Sequence, residues 1–205
     1  LEICRRIAEK HYDVYLQPAS LTDYTDLDII DLVLRANKLD ISAFYIVDTY
    51  GLMRREQVVR YFYIIDNNLS AGVPIGFHSH NNLQLSFSNS QALIDICRNR
   101  ELFIDSSVFG MGRGAGNLCT ELLIQYINDN IQKKYDLLPI LETMDECIMP
   151  IYSVRPWGYA APYYIAAIND CHPNYATYLV DRQTLCIRDI NAIIRTVPKE
   201  YRHKY

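Results

Sequence analysis

Val73-Pro-Ile-Gly-Phe-His-Ser-His-Asn-Asn-Leu83 is the stretch from which the fold of this 205-residue chain is read. Ile75 and Phe77 alternate with Gly76, His78 and His80, the period-2 pattern of a strand. Successive strand side chains point to opposite faces, so His78 and His80 are expected on one face, ~7 Å apart by Cα. Polar Asn81 and Asn82 follow at once, which puts the pair where a strand ends. Two imidazoles at that spacing can converge on one cation, and neutral imidazole suits several transition metals. The alternative is a pair of surface or hydrogen-bonded histidines. Two of them on one face, at a strand end beside a glycine, favour metal.

Upstream of that stretch, residues 41–48 form a β-prone run ending in Asp48, and Thr49-Tyr50-Gly51 turns the chain into a helix over about 54–67. Earlier still, 13–17 alternates Val14 and Leu16 as a short strand. Thr25 or Asp26 then caps a helix to about Lys38, with Ile29, Ile30, Leu32, Val33 and Ala36 as its apolar stripe. Residues 1–10 read as helix. Downstream come a helix over 83–99, a strand over 102–107, a glycine-rich run over 110–116 and a helix over 117–132. Strands alternating with helices imply βα units and a parallel sheet. Asp48, His78 with His80, and Asp105 with Ser106 all stand at strand ends. Chemistry at the C-terminal ends of parallel strands is the habit of both the (β/α)8 barrel and the open doubly wound sheet.

The glycine run follows a strand and precedes a helix, as a dinucleotide fingerprint would. Its nearest suitably spaced acid, Asp129, falls inside the following helix, so that reading is weak. As the loop after a barrel's last strand, its backbone lets a phosphate or metal approach closely; a plain turn is the alternative.

Half the residues are hydrophobic and 21% are charged, ordinary for a globular protein. A net charge of −4 offers no general attraction to nucleic acid or acidic membranes, and no apolar run reaches the ~18 residues of a membrane span. No nucleic-acid or membrane partner is expected. The chain opens on Leu1 inside a helical pattern, with no secretory leader, and is expected to be cut rather than secreted. Cysteines 4, 97, 119, 147, 171 and 186 show no CxxC spacing, which predicts reduced, mostly buried thiols and a cytoplasmic protein.

With both motifs in view, Phe77-His-Ser-His-Asn-Asn82 and Asp105-Ser-Ser-Val-Phe-Gly-Met-Gly-Arg-Gly-Ala-Gly-Asn-Leu-Cys-Thr-Glu121 resemble the metal-dependent aldolase and acyl-transferring branch of the TIM barrels. The 4-hydroxy-2-oxovalerate aldolase type, related to hydroxymethylglutaryl-CoA lyase and isopropylmalate synthase, is the nearest in pattern. It pairs an HxHxN strand with a GMGxGAGN loop and carries a GYAxxY tail, here Gly158-Tyr-Ala-Ala-Pro-Tyr163. The resemblance covers nearly the whole chain. It implies an α/β (β/α)8 barrel represented by its last four βα units over 1–134, strands five to eight, followed by a helical C-terminal extension over 135–205.

Carried across, the resemblance makes His78 and His80 ligands of Mn²⁺ or Mg²⁺, with Asn117 ligating or adjoining the metal. Tyr163 lines the active site near substrate oxygens as a catalytic residue, and Asp48 shapes the site. The implied chemistry is a 2-oxo acid chelated through carboxylate and ketone, with an enolate stabilised while a C–C bond breaks or forms. A small 2-oxo acid or aldehyde substrate, a homo-oligomer and an aldehyde dehydrogenase docked on the tail are also implied. The alternatives are an acyl-CoA-dependent Claisen synthase of the same superfamily and a non-catalytic half-barrel scaffold.

The family's first strand supplies an Arg and an Asp ligand, and its aldolases a His base; none has a counterpart here. Two histidines and an amide hold a hard cation poorly without the carboxylate, so this polypeptide alone is expected to bind metal weakly and to be inactive. No cysteine stands at 109–111, against hydroxymethylglutaryl-CoA lyase activity. No lysine ends a strand, against Schiff-base chemistry. In the tail, 137–148 is expected as one amphipathic helix, Pro150 and Pro156 as the brackets of a turn, and 159–168 and 188–196 as further helices.

Overall fold

Four parallel strands, β1 (Tyr15–Leu16), β2 (Ala43–Asp48), β3 (Ile75–Ser79) and β4 (Leu102–Ile104), hydrogen-bond in that order in the computed structural model, which describes residues 1–204. After α1 (Glu2–Ala8), the crossovers are α2 (Asp26–Ala36), α3 (Arg55–Asn68) and α4 (Ser86–Ile96). A doubly wound sheet reverses its strand order at a switch point; this sheet runs without reversal, as a barrel does. The fold is α/β, four consecutive βα units of a (β/α)8 barrel. By its contacts the chain divides into two compact units. The first comprises residues 1–49, 53–79 and 88–105, the second 50–52, 80–87 and 106 onward.

In the first unit β2 is buried along its whole length, as a strand covered on both faces must be. Phe44 and Ile46, with Ile75 and Phe77, pack into one core with Ile29 and Val33 of α2, Val58, Phe62 and Ile65 of α3 and Leu93 of α4. Ala43, Tyr45 and Val47 form a second cluster with Phe103. Tyr15 lies 6.4 Å from the Tyr45 ring and 6.2 Å from Phe103, extending that aromatic face. Thr25 starts α2 through a capping box. Its side chain accepts the Asp28 N–H at 3.3 Å, and Asp28 accepts the Thr25 N–H at 2.9 Å. α3 ends on an arginine from β4's approach. Arg100 Nε donates to Asp66 at 2.6 Å and its other nitrogens to the carbonyls of Asp66, Leu69, Ser70 and Val73.

The strands are shorter than their sequence patterns. β1 keeps two residues of 13–17, and β4 stops at Ile104 instead of running to 107. β3 ends at Ser79, so His80 lies one residue beyond the ladder.

The second unit carries α5 (Thr120–Asn130), α6 (Leu138–Thr143), α7 (Met149–Val154), α8 (Ala161–Ile168), α9 (Pro173–Val180) and α10 (Ile187–Thr196). The helix expected over 137–148 forms from Leu138, widens to a π-helical stretch at Met144–Ile148 and continues without a break into α7. Pro150 lies within this helical run, directly after the π-helical stretch, and opens no turn. The turn comes at Arg155 (φ −141°, ψ 86°). α9 has no counterpart in the sequence reading, because its cap is His172, which is not among the usual capping residues. Ile165, Ala166, Cys171, Ala176, Ile190 and Ile194 form this unit's core. The six thiols are free, but only Cys171 is fully buried, and Cys147 and Cys186 are exposed, against the expectation of mostly buried thiols. Among the described residues no helix is long and apolar enough to cross a membrane.

Candidate functional site

In the first unit the ends of β2, β3 and β4 carry the polar groups. His78 Nδ1 lies 3.1 Å from Asp105 Oδ2, and Asp105 Oδ1 accepts the Tyr45 hydroxyl at 3.2 Å. A carboxylate on Nδ1 fixes the tautomer that carries its lone pair on Nε2, the arrangement that prepares an imidazole for a metal. Burial, and then the Asp105 charge, push the Tyr45 phenol up to about 12, so it remains a proton donor to that carboxylate. Asp48, 3% exposed, accepts the Met53 N–H at 3.2 Å on each oxygen, and Asn89 donates to the Met53 carbonyl at 2.8 Å. Its carboxylate secures the segment that follows β2.

In the second unit the backbone of His80 forms an antiparallel bridge with Asn117, and its carbonyl accepts the Ser86 hydroxyl at 2.9 Å. Asn117 Nδ2 donates to the Met111 carbonyl at 3.0 Å, which turns Oδ1 the other way. That oxygen is buried and accepts no hydrogen bond from a described residue. Buried acceptors are nearly always satisfied, so an amide oxygen left without a donor fits a cation ligand. The loop backbone approaches closely here. A Cβ on Gly112 would lie 2.7–2.9 Å from the Asn117 amide, and one on Gly114 would lie 3.3 Å from the Tyr163 ring. Tyr163 accepts a hydrogen bond from the Thr177 hydroxyl at 3.3 Å. His80, Asn117 and Tyr163 thus meet around one loop.

Three residues that hold this loop were not singled out from sequence. Asn82 donates to the Tyr50 carbonyl at 2.8 Å and accepts the Ala115 N–H at 3.3 Å. Glu121 accepts the Phe109 N–H at 3.0 Å, and Trp157 Nε1 donates to the Phe109 carbonyl at 2.9 Å. Asn82 had a signal, as the amide of HxHxN; Glu121 ends the quoted loop motif, while Trp157 carried none beyond its place before Gly158. Among the described residues no group of three or more His, Cys, Asp or Glu stands together. The orphaned Asn117 oxygen is a donor of the kind a divalent cation takes.

His172 caps α9, its Nδ1 accepting the Asn174 N–H at 3.1 Å. Burial first, then the charge of Arg113, then His203, bring its pKa down to about 4. Because the folded value lies below the ordinary 6.5, the unfolded chain binds more protons between pH 6.5 and 4. The contribution is complete above pH 6.5 and is lost as pH falls toward 4. Solvent screening of the half-buried ring reduces it to about 1–2 kcal/mol. Urea midpoints measured across that window should therefore fall in the native chain, and fall less steeply in His172→Gln.

A family profile described as HMGL-like matches residues 2–146. The 4-hydroxy-2-oxovalerate aldolase of Marinomonas sp. (strain MWYL1) is 34% identical over 127 residues, covering 60% of this chain and 37% of that protein. The protein of the same name from Geobacillus genomosp. 3 is 36% identical over 108 residues, 52% of this chain and 31% of that one. The chain spans about a third of the length of these curated relatives. Among solved structures, the N-terminal domain of a putative aldolase from Bacteroides vulgatus matches with a TM-score of 0.76 at 27% identity, over 96% of this chain and 62% of that one. The carboxyl transferase domain of Rhizobium etli pyruvate carboxylase with pyruvate matches at 0.62 and 14% identity, over 87% and 31%; at that identity the likeness shows the fold alone.

Proposed function

The chain belongs to the HMGL-like family, and from that membership we propose that it serves divalent-metal-dependent cleavage or formation of a C–C bond in a hydroxy-2-oxo acid. The reaction is of the 4-hydroxy-2-oxovalerate aldolase type, with pyruvate as the enolate-forming half. The observation that carries the reading is the buried Asn117 oxygen without a hydrogen-bond donor. His78, His80 and Asn117 are the residues that would hold Mn²⁺ or Mg²⁺. When bound, the cation supplies Lewis acidity to the carboxylate and ketone of the 2-oxo acid.

The chain's own residues do the rest. Asp105 and Tyr45 hold the His78 ring in one tautomer and orientation. Tyr163, its hydroxyl already engaged by Thr177, directs its O–H at a substrate oxygen and steadies the charge that develops there. Asp48 shapes the site by fixing Met53 and does not transfer protons. The family's Arg, Asp and His base match no residue here, so the chain alone binds metal weakly and does not turn over. Self-association, an aldehyde dehydrogenase partner on the helical tail and a cytoplasmic location belong to the same proposal and rest on the family resemblance.

The test is water-proton relaxation with Mn²⁺ and pyruvate, beside a pyruvate-release assay on 4-hydroxy-2-oxovalerate. The chain should bind Mn²⁺ measurably and release no pyruvate. Asp105→Asn should weaken Mn²⁺ about 10–100-fold, and His80→Ala at least as much. Unchanged binding in both variants would refute the metal assignment, and robust turnover by the 205-residue chain would refute the incomplete site.

A further inference from the structure

We propose that the cavity beside the glycine loop binds the phosphate of a phosphorylated hydroxyaldehyde acceptor; only the assignment of the reacting end rests on the lyase reading above. The cavity, about 560 Å³, lies within the second unit and is lined by Arg113, Arg155, Trp157, Tyr163, Thr177 and Asp181, among others. A two-carbon aldehyde would leave most of that volume to water, whereas cavities of roughly 300–1,000 Å³ enclose far larger ligands.

Arg113 and Arg155 decide the chemistry. Neither guanidinium has an ion-pair or hydrogen-bond partner among the described residues, and both line this one cavity. Two uncommitted guanidinia on one cavity offer the planar fork that grips a phosphate through paired N–H bonds. A dianion uses both, while a carboxylate needs one. The loop of residues 110–116 follows β4, and the loops after a barrel's last strands are where phosphates commonly sit. Asp181, the carboxylate at this cavity, and Thr177 would then meet hydroxyl groups, with Trp157 giving an apolar wall.

The cavity also adjoins the reacting end of the lyase reading. Arg113 stands between Gly112, which lies against the Asn117 amide, and Gly114, which lies against Tyr163. An acceptor whose aldehyde reaches that amide therefore carries its far end toward the two arginines.

Calorimetric titration of the 205-residue chain without added metal, using glycerol 3-phosphate, glycerol and 4-hydroxybutyrate, tests this. Glycerol 3-phosphate should bind and glycerol should not. Arg113→Gln and Arg155→Gln should each weaken binding about tenfold or more, and Arg113→Lys and Arg155→Lys less. Circular dichroism checks folding; if Arg113→Gln fails to fold, the exposed Arg155 variants decide. Absent binding, binding unchanged by the variants that fold, or 4-hydroxybutyrate binding as tightly as the phosphate would overturn the proposal. No metal or turnover enters the assay, so failure of the lyase reading leaves its result intact, and the converse holds.

Discussion

Gly116→Ala is expected to lose about 3 kcal/mol or more of stability in the second unit and to release Asn117 from its bridge with His80. Gly116 has φ +84°, in the left-handed region, where a side chain costs roughly 1–2 kcal/mol by itself. The added Cβ would also fall inside 3.0 Å of the Gly110 carbonyl oxygen, a backbone atom that cannot step aside as a flexible side chain would. Gly110 accepts the Asn117 N–H at 2.9 Å, and Gly116 accepts the Asn81 N–H at 2.9 Å, so the displacement reaches both sides of the bridge. Thermal unfolding and Mn²⁺ titration of the variant read the two effects. A variant with native stability and native Mn²⁺ affinity would show that the loop is not held as described.

Arg100→Ala is expected to cost about 3–5 kcal/mol, read as a lower urea midpoint at an unchanged m value. The side chain is 11% exposed and serves four carbonyls as well as the Asp66 carboxylate. Truncation leaves the end of α3 and the segment before β3 with unsatisfied acceptors, and Asp66 with an uncompensated charge. Arg100→Lys should recover only a fraction, since one ammonium cannot reach the same set of oxygens. A loss below 1 kcal/mol would mean that water replaces these bonds freely.

Much of the sheet was readable because it is written in local terms. The buried run ending at Asp48 and the alternation around His78 declare strands, and Thr25 with Asp28 declares a helix start. Strand ends were misjudged because a ladder stops where its neighbour stops, which no single segment encodes; β4 ends at Ile104 although 105–107 remain compatible with a strand. The same limit applied to side chains. Asp105 was visible at a strand end, but its bonds to both His78 and Tyr45 join three different strands or strand ends. Arg113 and Arg155 looked like ordinary loop and turn residues, and only the folded tail puts them on one cavity. Motif resemblance pointed to His80, Asn117 and Tyr163, yet it could not say that Asn117 keeps a buried oxygen unmatched.

That unmatched oxygen is open to one direct measurement, the electron paramagnetic resonance signal of free Mn²⁺ titrated with the native chain, Asn117→Ala and Asn117→Asp. A carboxylate at this position adds the charged oxygen that hard cations favour. Binding should therefore weaken at least about tenfold in the alanine variant and tighten in the aspartate variant. Equal Mn²⁺ affinity in all three proteins, each shown to be folded, would contradict the assignment of Asn117 as a ligand.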